Sequence, residues 1–314
     1  MKFALLFFMC IAWYSQAVSA ATKGAESPVP ANKERLRADV QALTNIVPPR
    51  NYRNLASLNR AADYIQAEFR KLDCAVNVQN FTVEGREYKN IICSFGKRDA
   101  ERIIVGAHYD VHGNTPGADD NGSGIAGLLE LGRLIGEAKS PLRHRIDFVA
   151  YSLEEPPFFR THHMGSYFHA RSLFDGKVKV KAMICLESIG YFSDEPGSQS
   201  FPAFFLRWFY PATGNFIVVV GKWGQGNLVR VVKSHMSRSS GIHVDSIVTA
   251  PMVPGIDLSD HLNYWKFGFY AVMVTDTAFY RNLHYHEPTD RIETLDFDRI
   301  AEVVKGLYRA VLNL

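Results

Sequence analysis

The sequence has only four cysteines in 314 residues and no low-complexity or internally repeated tract, which removes disulfide-stapled scaffolds, fibrous chains and solenoids from consideration. No apolar run approaches the ~20 residues that cross a bilayer as a helix. Charge of one sign is also lacking. The 35 Lys and Arg against 32 Asp and Glu leave +3, spread too evenly for a nucleic-acid groove or a polybasic membrane patch. The one local cluster, Lys177, Lys179 and Lys181, reads as a solvated strand edge. Neither a G-x-S-x-G elbow nor a P-loop occurs, so the sequence offers no serine nucleophile on a strained turn and no phosphate cradle. What is present, 47% hydrophobic and 21% charged residues, is the composition of a folded globular protein.

The N-terminus is a different material. Lys2 precedes an apolar run from Phe3 to Trp13, and Ala17-Val18-Ser19-Ala20 follows a short polar step. This pattern predicts a secretory signal over residues 1–20 that is cleaved after Ala20, and a mature protein that is secreted or periplasmic. A lipoprotein reading through Cys10 is weaker, because Phe7 and Phe8 stand where small aliphatic residues are expected. Cleavage removes Lys2 alone among the charges, leaving 34 against 32, or +2, and no stable membrane anchor. Residues 21–30 form a polar, Pro-bearing flexible lead, and residues 31–314 form one domain. Of the three remaining cysteines, Cys74 and Cys93 flank neighbouring strand-like segments. They either pair, which export permits, or remain reduced and buried. Cys185 reads as core filling.

Periodicity sets the architecture. Helical patterns run from Asn32 to Leu43 and from Ser57 to Leu72, followed by a hairpin of Val76–Val83 and Tyr88–Phe95 turning at Gly85. Short apolar runs then alternate with helices. The runs are 103–107, 146–150, 181–186, 216–220 and 270–274; the helices are 124–138, 161–173, 226–237, 259–267 and 297–312. Such alternation predicts an α/β fold with a mostly parallel, mixed central sheet and helices on both faces.

In a sheet of this kind, ligands collect at the carboxyl ends of the strands. Acidic and histidine residues follow almost every apolar run: His108-Tyr109-Asp110, then Gly117 to Gly124 with Asp119 and Asp120, then Glu154-Glu155, then Glu187. Ser259-Asp260-His261 and His284-Tyr285-His286, with Asp290 beyond, come near the end. Taken singly, each has an ordinary explanation as a helix cap or a surface residue. Together they do not, because several carboxylates gathered at desolvated strand ends repel one another and call for a cation.

The ordered motifs H-x-D, G-A-D-D-N-x-S-G, E-E, L-E-S-I-G, S-D-H and H-x-H-x-x-x-D resemble the di-zinc aminopeptidase family, from about Arg35 to the C-terminus. That family includes secreted bacterial leucyl aminopeptidases and is related to glutamate carboxypeptidase II and the glutaminyl cyclases. The resemblance implies a zinc peptidase domain acting on a peptide substrate, with no nucleic-acid partner and two Zn²⁺ per chain. His108 and Glu187 would bind one zinc, Glu155 and His286 the other, and Asp120 would bridge them. Two Zn²⁺ bring +4 against −3 from Asp120, Glu155 and Glu187, and a hydroxide closes the balance, which a buried site tolerates. Glu154 is implied as the base that takes a proton from a water between the metals, and Asp110 as the carboxylate that fixes the His108 tautomer.

The resemblance also implies a cis peptide between Asp120 and Asn121. One departure is Ile256, which stands where aminopeptidase members place the Tyr that stabilises the tetrahedral oxyanion. His261, Tyr280 and Tyr285 are the remaining candidates. The implied activity is exopeptidase, foremost aminopeptidase. A one-zinc glutaminyl-cyclase-like enzyme is the alternative, and a non-catalytic ectodomain is disfavoured because all five ligands and the base are kept.

Overall fold

The computed structural model describes residues 30–138, 141–250 and 253–314, so the expected signal and all of the expected lead except Pro30 lie outside the described residues. Helices α1 (Lys33–Thr44) and α2 (Leu55–Arg70) precede the hairpin of β1 (Ala75–Val83) and β2 (Arg86–Phe95). Alternation follows through β3 (Arg102–His108), α3 (Gly124–Ala138), β4 (Arg145–Tyr151), α4 (Gly165–Asp175) and β5 (Val180–Glu187). It continues through β6 (Phe216–Lys222), α5 (Gly226–Ser237), β7 (His243–Thr249), α6 (His261–Lys266), β8 (Ala271–Thr275) and α7 (Phe297–Asn313).

The eight strands form one sheet in the order β1-β2-β4-β3-β5-β8-β6-β7. Its centre is parallel, β3 pairing with β4 and β5, and β5 with β8; β6 and β7 are also parallel. The hairpin joins through antiparallel β1–β2 and β2–β4 pairs, and β6 runs antiparallel to β8, so the sheet is mixed as expected.

The continuous apolar runs have a simple cause. Successive residues of a strand point to opposite faces, so a strand covered on both sides must be apolar throughout. In β5, Ala182, Ile184 and Leu186 enter the larger core under α1, α2, α3, α5 and α7. Met183 and Cys185 enter the smaller core under α4 and α6. Helix α7 buries Ile300, Val303, Val304, Leu307 and Val311, one stripe at helical spacing, and Asp296 caps it by accepting from the Arg299 N–H at 2.9 Å.

Four details differ from the sequence reading. Strand β7 was not anticipated, because His243–Thr249 lies at the sheet edge and carries a polar mixture instead of an apolar run. The helix expected from 161 starts at Gly165, whose N–H donates to the Ser152 carbonyl at 2.7 Å, and the one expected over 259–267 is confined to His261–Lys266. Lys177, Lys179 and Lys181 are exposed, but they lead into β5, an interior strand, and do not line an edge.

Cys74 and Cys93 form a disulfide, with Cα atoms 5.9 Å apart and a sequence separation of 19, and Cys185 is free and buried. The bond ties the chain just after α2 to β2. Closing a loop of this size removes chain entropy worth about 3 kcal/mol from the unfolded state. The Cys74→Ser, Cys93→Ser double variant is therefore expected to lose about that much stability in denaturant titration, with its site chemistry intact. Unchanged midpoints with and without reductant would refute the assignment.

Candidate metal centre

The parallel strands β3, β4, β5 and β8 end at one edge of the sheet. The register sets His108 beside Tyr151 and Glu187 beside Thr275, so the segments leaving these ends meet. His108, Asp110 and Asp120 come from the β3 end, Glu154 and Glu155 from β4, Glu187 from β5, and His286 from the loop after β8. All seven residues singled out in the sequence lie in this one cluster. Asp120 faces two ways. Its Oδ1 is 3.3 Å from His108 Nε2 and its Oδ2 is 3.1 Å from His286 Nε2. Glu187 Oε2 stands 3.2 Å from His108 Nε2, and Glu155 Oε2 stands 3.4 Å from His286 Nε2. The Asp120–Asn121 peptide is cis, as expected.

The donor set fits a pair of metal ions. His108 Nε2, His286 Nε2 and Glu155 Oε1 are buried without a hydrogen-bond partner, which leaves them available as metal donors. With bonds of ~2.0–2.1 Å to nitrogen and oxygen, neighbouring ligands of a tetrahedral zinc stand about 3.4 Å apart, which is the spacing seen here. His108, Asp120 and Glu187 offer one group of converging donor atoms, and Glu155 and His286 belong to another.

Backbone donors hold the cluster in place. Asp110 does less for His108 than expected: its carboxylate is 3.6 Å from Nδ1, and the imidazole is fixed instead by the Asp110 carbonyl at 3.2 Å. The Asp110 carboxylate accepts the N–H groups of Glu154 and Glu155, each at 3.1 Å, and so sets the turn that aims these side chains differently. Asp290 does the same for Asp119 and Asp120, at 2.9 and 3.1 Å. Ser259 Oγ donates to Glu187 Oε2 at 2.7 Å, and Asn121 reaches from its Nδ2 to the Leu186 carbonyl at 2.8 Å. Arg50, fully buried, gathers the β3 loop by donating to the carbonyls of Tyr109, Pro116 and Gly117. Leu153, Ser188 and His286 have φ of 61°, 47° and 61°, left-handed for non-glycine residues, and each adjoins or is a cluster residue. Such backbone costs ~1–3 kcal/mol per residue and persists where its surroundings over-determine it.

The electrostatics are those of crowded, buried carboxylates. Burial pushes Glu154 well above the usual carboxylate range, with Glu187 and Glu155 adding to the effect against His108. Burial also raises Glu187. Asp120 is held well below, because the imidazoles of His108 and His286 on either side of it overcome its burial. Burial opposes charge on His286, but Asp120 and Glu155 push it up to about 10. The metal-free chain thus balances its carboxylates with protons on imidazoles that metal ions would displace.

The structure also sorts the three residues weighed for the oxyanion. His261 is turned away, fully buried, with Nε2 2.6 Å from the Ile256 carbonyl and its ring edge-on to Trp265. Tyr280 lies along an apolar cavity beside Gly255. Tyr285 stacks on His286 and lines the cavity together with Glu187, and burial and the charges of Asp120, Glu155, Glu187 and Glu154 raise its phenol. The cavity is open to solvent and is lined by Glu187 and Tyr285 together with an apolar wall of Val218, Val220, Ile247 and Met273. Glu187 is the one charged side chain among its described lining residues.

Arg50, Asn121, Ser259 and His112 were assigned nothing in the sequence. Ser259 and Asn121 stood inside quoted motifs, whereas Arg50 lies far upstream and His112 looked like one more loop residue. The Asp110 contacts yield an expectation. Asp110→Ala leaves two buried backbone N–H groups without an acceptor, and at ~1–3 kcal/mol each the metal-free protein should lose about 2–6 kcal/mol in denaturant titration. A loss under ~0.5 kcal/mol, the level of an ordinary surface substitution, would show that Asp110 does not hold the turn.

Comparison with known proteins agrees with this geometry. The sequence model of Peptidase family M28 matches residues 90–311. The chain is 44% identical over 295 residues to the uncharacterized protein YfbL of Escherichia coli (strain K12), covering 91% of this chain and 90% of that one. It is 26% identical to a probable leucine aminopeptidase of Trichophyton verrucosum, covering 87% of this chain and 71% of the relative. In fold it is similar to BSAP, a zinc aminopeptidase from Bacillus subtilis, with a TM-score of 0.71 at 16% identity, covering 92% and 96% of the two chains. A glutaminyl cyclase from Porphyromonas gingivalis is similar too, with a TM-score of 0.68 at 20% identity over 91% and 99%. A match over more than two thirds of the chain, on a fold shared with a zinc aminopeptidase, makes this protein a metallopeptidase that belongs to Peptidase family M28.

Proposed function

We propose that the chain is an exported aminopeptidase that uses two zinc ions and prefers peptides with a large apolar first residue. The observation that carries the reading is a cluster of two imidazoles and four carboxylates opening onto an apolar cavity that has no cationic side chain among its described lining residues. A carboxypeptidase needs a cation for the substrate's terminal carboxylate, whereas a free α-amine suits a carboxylate-rich rim. Export is supported by the apolar N-terminal run and by the Cys74–Cys93 bond, which suits an oxidising compartment.

His108, Asp120 and Glu187 would hold one zinc, and Asp120, Glu155 and His286 the other. When bound, the ions would polarise the scissile carbonyl and acidify water. Glu154 is left free for proton transfer. Its carboxylate makes no hydrogen bond among the described residues and lies 3.8 Å from His108 Nε2, which leaves it placed to take a proton from the attacking water and deliver it to the leaving amine. Tyr285, stacked on His286 and lining the same cavity as Glu187, donates its phenol O–H to the carbonyl oxygen as negative charge develops there. The cavity wall of Val218, Val220 and Met273 receives the side chain of the first residue.

Metal analysis and kinetics test this together. The active protein is expected to hold two zinc ions and to lose activity with chelator. Glu154→Gln should keep both ions and lower kcat by ~10² or more, and Tyr285→Phe should keep both and lower kcat ~10²–10³. Glu155→Gln should instead lose an ion. One ion in fully active wild type, or the same behaviour from Glu154→Gln and Glu155→Gln, refutes the assignment.

A peptide panel tests the substrate. Peptides beginning with free Leu or Phe should be cleaved in preference to Gly- or Asp-led ones, and N-acetylated versions should resist. Release of ammonia from peptides beginning with Gln, without hydrolysis of the others, would favour a glutaminyl-cyclase-like reaction on the same fold.

A further inference from the structure

His286 is the candidate ligand nearest the rim, with 26% of its side chain exposed. A metal-binding imidazole is ordinarily oriented by a hydrogen bond from its second nitrogen. His108 has one, from Nδ1 to the Asp110 carbonyl, but His286 Nδ1 makes none to protein among the described residues. Its ring is instead flanked by two others. The His112 ring lies 3.9 Å away, centroid to centroid, and 5° from parallel; the Tyr285 ring lies 3.9 Å away and 16° from parallel. Two rings that close to a third and nearly parallel to it cannot share one face without overlapping, so they cover opposite faces. His112 arrives from the loop after β3, and Tyr285 precedes His286 in the chain.

We propose that His112 and Tyr285 clamp the His286 ring between them and thereby aim its Nε2 at Asp120 and Glu155, in place of the missing hydrogen bond. This deepens the two-metal reading and rests on it. His112 is then a positioning residue that acts through His286.

The competing role for His112 is that of an additional ligand, since its Nδ1 is 3.6 Å from Glu155 Oε2 and falls in one group of donor atoms with Glu155 and His286. Ring stacking argues against it. An imidazole binds metal through a lone pair in its own plane, and a zinc–nitrogen bond is ~2.0–2.1 Å. Stacked planes about 3.4–3.9 Å apart would put any ion shared by both rings at least ~1.7 Å out of the plane of one of them, away from that ring's in-plane lone pair.

The test compares a variant that removes the ring with one that keeps a ring and removes its nitrogens. Zinc affinities of wild type, His112→Ala and His112→Phe are measured by competition with a chromophoric chelator, and the metal-free melting temperatures serve as the control on folding. His112 is 37% exposed on a loop, so neither change opens the core. His112→Ala should weaken one of the two zinc ions ~10-fold or more and leave the other unchanged, whereas His112→Phe should stay within about threefold of wild type. All three metal-free melting temperatures should agree. The proposal is overturned if His112→Phe loses as much affinity as His112→Ala, which would make the nitrogen the active element, or if His112→Ala binds both ions normally. A fall in metal-free melting temperature in proportion to the zinc loss also overturns it. A wild type that binds one zinc contradicts the two-metal reading, and the clamp is then judged on that ion by the same comparison of Phe with Ala.

Discussion

Four carboxylates buried at the ends of neighbouring strands constitute the constraint on which the site depends. Asp120, Glu154, Glu155 and Glu187 are all nearly inaccessible to water. An isolated ionised carboxyl in such surroundings is unstable by many kcal/mol, and four together repel one another. Only counter-charge at their centre makes the arrangement tolerable, and His108 and His286 are the groups placed to supply it or to share it with metal ions. The fold can bear this because the parallel strands beneath are apolar on both faces and fix the positions of their ends.

Counter-charge alone would not keep the side chains apart or aimed. That work falls to a second set of acidic and amide groups with one recurring habit: they accept or donate to backbone where the chain leaves a strand. Asp110 orients Glu154 and Glu155, Asp290 orients Asp119 and Asp120, and Asn121 links the β3 loop to the end of β5. Consecutive residues such as Glu154 and Glu155 can take different roles only because the turn carrying them is fixed at the backbone. The left-handed Leu153 immediately before them marks how sharp that turn is.

What the sequence made legible follows from locality. Apolar runs such as 103–107 and 181–186 reported interior strands directly, because burial on both faces leaves no other composition. The acidic and histidine residues after those runs reported the site, since the strand ends converge in any parallel sheet. Strand β7 escaped because one more polar strand at an edge looks like loop. Arg50 escaped for a different reason. It serves carbonyl groups some sixty residues away, at Tyr109, Pro116 and Gly117, and no local pattern announces such a bond. His112 could be seen but not interpreted, because stacking on His286 joins two loops separated by most of the chain. The bonds from the Asp110 carboxylate to the N–H groups of Glu154 and Glu155 were invisible for the same reason, since they join two loops 44 and 45 residues apart in the chain.

The two halves of the cluster are therefore built on different principles. Around His108 every restraint is a hydrogen bond in a dry interior: the imidazole is fully buried, its Nδ1 is held by a carbonyl, and Glu187 is held by Ser259. Around His286 the restraint is the flat contact of rings at a partly open rim. A hydrogen bond fixes both the direction and the rotation of a ring. Stacking from both faces fixes the plane of the ring, and within that plane Nε2 faces Asp120 and Glu155. Both halves meet at the cavity walled by Val218, Val220 and Met273, Glu187 from the buried half and Tyr285 from the ring stack, so a group entering there touches the two together.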